Sequence, residues 1–559
     1  MKGVLFLVAA LLLAPLLSVA VAAAPSELCL SDAAGLKVAD ARLFDGVGSY
    51  RGPRVSVNPE AQRYFEQGMV FGWGFNFAEA ARSFRAATLR DPDCAMCRWG
   101  IAWAVGPSIN HDMAAADVPI ARDALVQAKV HAADARTREL VAALAERHPA
   151  GATGVDDAAA LRYAEAMVAF ARRHPGDADA AVLAAEALMT AHAYDWWTAT
   201  GAARPWTPQI LALLEQALAL SPDHPGAHHY RVHLYDESKT PEAALGSAQR
   251  LATVAPGVGH LVHMPSHVYL RIGRYHDAVR ANQAAVAADQ RYAAATQPDP
   301  AYAAGYVLHN QHFLWAAALW SGESALAAAT AASMAAAATA LPAVAIDAGT
   351  RQHLQSTVWL TDLRFGRWEA IELRAGPSQA DAGGAYLRGI VAMARGVAAA
   401  RQGEVGPAGV QLARLQAARR EASVQKLTIK STHDAADLLR LAEALLRSDL
   451  AAARGDWPAA ISNARQAVKL EDKLAVDEPP VWQIPARHRL GQALLQAGQP
   501  GAAGEVFAAD LRRHPDNAVA LQGLAEAERR RGRVSAAEST QRRAQAAWAH
   551  ADVPLSKVY

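Results

Sequence analysis

From residue 59 onward, apolar positions recur at intervals of three and four, the period of helices that each bury one face. Residues 61–94 read "AQRYFEQGMVFGWGFNFAEAARSFRAATLRDPDC", with Tyr64, Gly68, Phe71, Ala80, Phe84, Ala87 and Pro92 spaced as two helices joined by a tight turn. The unit returns. Residues 225–258 carry Tyr235, Ala244 and Pro256; residues 259–292 carry Tyr269, "GRYHDA" and Ala285; residues 484–517 carry Leu490, Gly491, Ala503, Phe507 and Pro515, and residues 518–551 repeat it again. Weaker copies are marked by the turn between paired helices: "WSGESAL" at 320–326, "RFGRWEA" at 364–370 and "ARGDWPA" at 453–459, where glycine permits the backbone to reverse. Alternating strand patterns are scarce. The pattern predicts an all-α chain of stacked hairpins that forms a quasi-one-dimensional superhelix.

This spacing resembles the tetratricopeptide repeat. The stretches "CAMCRWGIAWAVGPSIN" (94–110), "HPGAHHYRVH" (224–233) and "HLVHMPSHVYLRIGRYHDA" (260–278) together resemble a family of exported bacterial tetratricopeptide proteins. The resemblance covers most of the chain after residue 59, strongly in the five copies above and weakly in 115–177 and 375–440. It implies a right-handed α-solenoid whose concave groove binds a peptide, a protein segment or a small ligand, and it implies no particular activity. "GPSQADAGG" at 376–384 is the expected hinge, dividing an N-terminal solenoid (59–375) from a C-terminal one (376–559) that ends in a capping or docking face with "ERRRGR" at 528–533.

Composition changes this picture little. Length alone suggests several domains for 559 residues, but repetition removes that inference. The 55 Lys and Arg balance 54 Asp and Glu, so nothing in the net field favours nucleic acid or an anionic membrane as partner. Lys2, the apolar run after it and the small residues near Ala20 and Ala22 read as a signal peptide over 1–22, followed by an N-terminal segment, 23–58. The expected location is therefore secreted or periplasmic, with no membrane association after cleavage. Cys29, Cys94 and Cys97 allow a disulfide either between the last two or from Cys29 to one of them.

The histidines do change it. Eleven of the 20 fall between His192 and His312. Counted within each copy, His260 and His309 share one position, His229, His263 and His312 a second, and His233 and His267 a third. At ~100° per residue these positions form one helix stripe, turned away from the packing stripe. In tetratricopeptide proteins that stripe lines the groove, and the same register puts Phe65, Trp99 and Trp103 at its aromatic start and Glu186 beside the histidines.

His229 and His233, and likewise His263 and His267, lie four residues apart, the spacing of a chelating pair on one helix face. Together the four histidines can hold a divalent transition metal such as Zn or Cu, with Glu186, Asp236 or Glu237 completing the shell. A polar lining for a peptide carboxylate and purely structural histidines are the competing readings. No catalytic residue is assigned, because neither pair contains the "HE" that places a general base beside a metal; metal-assisted hydrolysis or oxidation, with Glu186 as base, is the enzyme alternative. Pro265 means either that its helix starts there or that it kinks. The insertion "AYDWWTATGAARPWTP" after His192 supplies Tyr194, Asp195, Trp196, Trp197 and Trp206 as a lid over the groove or as packing against the next hairpin.

Overall fold

The computed structural model describes residues 41–149, 156–296, 298, 300–377 and 384–559. The expected signal peptide, Cys29 and residues 378–383 of the expected hinge lie outside the described residues. From Pro59–Trp73 to Val534–Ala547, helix follows helix and each packs on the next, an all-α solenoid. The strands among the described residues are Thr428–Ile429 and His433–Asp434, which form one antiparallel ribbon. No helix among the described residues is long and apolar enough to cross a membrane.

Local chemistry explains the hairpins. Asn58 and Asn76 cap the helices Pro59–Trp73 and Phe77–Arg90 by accepting from amides that a helix start leaves unpaired. The three weak copies turn where expected, with Gly322, Gly366 and Gly455 at φ of 81°, 61° and 73°, the left-handed region that side chains disfavour.

The small residues have a packing reason as well. A Cβ on Gly68 would meet the Phe84 ring at 2.7 Å and one on Gly100 would meet it at 2.5 Å, so the helices before and after its own clasp one buried ring. Gly491 and Gly523 clasp Phe507 in the same way. Burying such a ring contributes roughly 1.5–3 kcal/mol, and each clasp repeats that contribution along the array.

At Pro265 the helix kinks. Gly259–His263 and Pro265–Arg271 are joined by Met264 at φ −50° and ψ −35°, so the backbone stays helical through a residue whose successor has no amide to donate. The His267 amide bonds Met264 O at 3.2 Å, tightening the turn. His260 and His263 are thereby aimed differently from His267.

The array also folds back on itself. One apolar core runs from Ala61 to Val268; a second joins Tyr269–Ile371 to Ala385–Tyr559. Tyr275 Oη donates to Pro515 O at 2.9 Å, Trp320 Nε1 to Gln483 Oε1 at 2.7 Å, and Asp552 accepts from the Ser324 and Ala325 amides. At the other end Tyr306 Oη donates to Phe75 O at 2.5 Å and Tyr292 Oη to Glu79 at 3.0 Å. The concave side is consequently filled by its own chain around the histidine-rich helices.

Candidate functional site

The histidines meet in two sets of three. His229 and His233 on Pro225–Asp236 converge with His260, and His263 and His267 converge with His309 on Leu308–Ser321. In each set one nitrogen per residue lies within 4.8 Å of the others. The rule is the same twice: a pair four residues apart plus one histidine from the following hairpin. The four histidines expected to share one ion are thus divided between two sites, His229 and His233 meeting His260 while His263 and His267 meet His309.

In the second set His263 Nε2 lies 2.8 Å from His267 Nε2 and 3.1 Å from His309 Nε2. The far nitrogens are spoken for. Asn282 Oδ1 sits 2.7 Å from His263 Nδ1 and must be the acceptor, since its amide nitrogen donates to Ala278 O. Asp236 and Glu478 sit 2.6 and 2.7 Å from His267 Nδ1. Acceptors on both Nδ1 atoms assign protons there and aim the two Nε2 atoms at one point, the outer-shell arrangement that orients metal-ligating histidines.

Charge follows from burial. His263 is pushed well below the usual imidazole range, first by burial and then by the charge on His267. Burial pushes His267 down too, but Glu478 and Asp236 outweigh it and bring the ring to about 10. As an imidazolium it donates Nε2–H to His263. Asp236 is held below the usual carboxylate range: burial opposes this, and the His267 charge prevails. Glu478 is raised by burial and then by the neighbouring Asp236 charge. The cluster is therefore a cation held between two carboxylates, and its proton lies where a ligand set would put an ion.

Beside it lies a cavity of about 260 Å³ lined by His233, Glu237, His309 and His312, by Tyr306, and by Lys430 from the ribbon. Lys430 pairs with Asp477 at 2.7 Å and its ammonium also donates to Glu478 O, which fixes the segment carrying Glu478 against the histidines. Burial followed by the charges of Glu478 and Asp236 raises Glu237 to about 8. His312 lies next to His353, 5.4 Å between ring centroids, and takes part in neither set.

Several expected groove residues are elsewhere. Phe65, Trp99 and Trp103 are in the apolar core: Phe65 packs on Phe84, Trp103 stacks on Trp99, and Trp99 Nε1 donates to Leu140 O. Their stripe therefore packs into the core and does not line a groove. Glu186 is also buried away from the histidines, paired with Arg147 at 3.1 Å and accepting from Thr190, so it is neither ligand nor base. Of the insertion, Tyr194 reaches the cavity and bonds Asn110, whereas Trp196 is fully buried and Trp197 and Trp206 donate to Leu234 O and Asp195 O. Cys94 and Cys97 form the disulfide.

Sequence reasoning missed Glu478, Asn282, Lys430 and Phe75. Glu478, Asn282 and Phe75 fall outside the histidine stripe and Lys430 outside any strong copy, so the repeat register carried no signal for them.

No family model matches the chain, and no curated protein matches it. Among solved structures, the human IFIT1 dimer with m7Gppp-AAAA is 12% identical with a TM-score of 0.30, covering 94% of this chain and 95% of that one. The APC/C hetero-tetramer Cut9-Hcn1 is 12% identical with a TM-score of 0.29, covering 90% and 76%. Yeast Tom70 is 11% identical with a TM-score of 0.25, covering 87% and 90%. At these scores the likeness bears on neither the site nor its ligand.

Proposed function

We propose that this helical scaffold is an exported protein that binds a divalent transition metal at His263, His267 and His309, with the adjoining cavity open to a small ligand. The observation that supports it is the convergence of three Nε2 atoms, those of His263 and His267 oriented by hydrogen-bond acceptors at Nδ1. Three imidazoles at ~2.0–2.1 Å would bring their nitrogens about 3.3 Å apart, a small adjustment from the distances present. Asp236 and Glu478 offset the ion's charge, which makes a divalent ion affordable in a buried site. Zn and Cu both suit this donor set.

The cavity's size favours a small ligand over an extended peptide. A protein or peptide partner, as the repeat resemblance suggests, would dock outside it. Export is favoured by the reading of residues 1–22 and by the Cys94–Cys97 disulfide, a bond that persists in oxidising compartments.

Elemental mass spectrometry on untagged protein tests the metal reading. About one equivalent of Zn, lost in a His263→Gln/His309→Gln variant that still folds, is the expected result. Metal-free wild-type protein after challenge with both ions overturns it.

A further inference from the structure

The first histidine set differs from the second in a way that the repeat does not explain. His229, His233 and His260 are 0%, 5% and 5% exposed, and among the described residues no carboxylate pairs with any of them. His229 Nδ1 donates to Trp73 O at 2.5 Å, which leaves its Nε2 as the bare nitrogen, 3.1 Å from His260 Nε2. His233 Nε2 has no hydrogen-bond partner among the described residues. A buried polar atom is rarely left so, and this one, beside His229 and His260, points to a ligand.

The surroundings are aromatic. Phe75 lies over all three rings, with centroids 4.5, 5.5 and 5.2 Å from those of His229, His233 and His260. Tyr306 closes the edge at 5.6 Å from His260. Phe75 holds φ of 57°, a left-handed conformation unusual for a bulky side chain, and its position above the rings is what that backbone delivers. Glu478 and Asp236 instead meet His267 at its Nδ1.

We propose that His229, His233 and His260 form a second metal site, and that it takes a monovalent soft ion, Cu(I), rather than a divalent one. Three neutral imidazoles leave an ion with its whole charge, and the cost of burying that charge rises with its square. Without an anionic partner the site therefore selects the ion of charge one that imidazole binds well, and copper supplies it. The first set shares no ligand with His263, His267 and His309, so either reading can fail without the other.

The test is an anaerobic titration with Cu(I) against a chromophoric chelator, and separately with Zn(II), on wild-type protein and two variants. His260→Gln should weaken Cu(I) binding at least tenfold and leave Zn(II) binding within twofold. In His263→Gln/His309→Gln the pattern should reverse. Unchanged Cu(I) affinity in folded His260→Gln, or Zn(II) displacing Cu(I) from the site at equal concentration, overturns the proposal. If His260→Gln does not fold, X-ray absorption on the Cu(I)-loaded wild-type protein decides: a shell of three imidazole nitrogens supports the site, and a sulfur or carboxylate oxygen ligand sinks it.

Discussion

Asp236 Oδ2 stands 2.6 Å from His267 Nδ1, joining two adjacent hairpins across a buried contact. The carboxylate fixes the ring's orientation and the nitrogen that carries its proton. In Asp236→Asn the ring loses part of that support and its charge becomes harder to hold. Divalent metal affinity should fall roughly 10- to 100-fold while the helical content is kept. Competition titration against a chelator of known affinity, with circular dichroism as control, measures both.

Glu186 tests the difference between a stability residue and a site residue. Its partner Arg147 is as buried as it is. Glu186→Ala strands a guanidinium in the interior and should cost about 3–5 kcal/mol of unfolding free energy. Metal content should be unchanged in the fraction that stays folded. Loss of metal without loss of stability would return Glu186 to the ligand shell.

Burial lowers His111 from the ordinary imidazole value to about 4. A folded value below the unfolded one means that the unfolded chain binds more protons between about pH 4 and 6.5. Stability should accordingly be complete above about pH 6.5 and decline as pH falls toward 4. The His111 share is on the order of 3 kcal/mol. Urea unfolding of wild type and His111→Gln at pH 7 and pH 5 should show a smaller pH difference in the variant.

Gly100→Ala places a methyl against the Phe84 ring that Gly68 clasps from the other side. With backbone on both flanks the ring has little room to yield. A loss of about 1–3 kcal/mol is expected, read as a lower thermal midpoint. Gly406→Ala, also in a helix but meeting nothing within 4 Å, should instead be neutral or slightly stabilising and serves as the control.

The hairpins were legible because helix period, turn glycines and the clasped rings are all local or repeat-spaced features. The histidine stripe was legible for the same reason: His229, His263 and their partners occupy equal positions in successive copies. Their grouping was not. It depends on which neighbouring helix each ring meets, His260 turning to Pro225–Asp236 and His263 to Leu308–Ser321, and the same tertiary packing puts Trp99 and Trp103 in the core. Glu478 and Lys430 were invisible because they arrive by tertiary return, from a part of the chain whose repeat positions say nothing about the histidines. Glu186 misled because a stripe position fixes a direction and not a partner.

Arrays of stacked hairpins ordinarily tolerate gain or loss of a unit, since each copy touches only its neighbours. Here Trp73 O receives the His229 proton across 156 residues of sequence. Any duplication or deletion of a hairpin between those two would rotate one end past the other and dissolve the contact. The segment from Trp73 to His229 is in this sense a counted length: its individual side chains are open to change, and its number of hairpins is not.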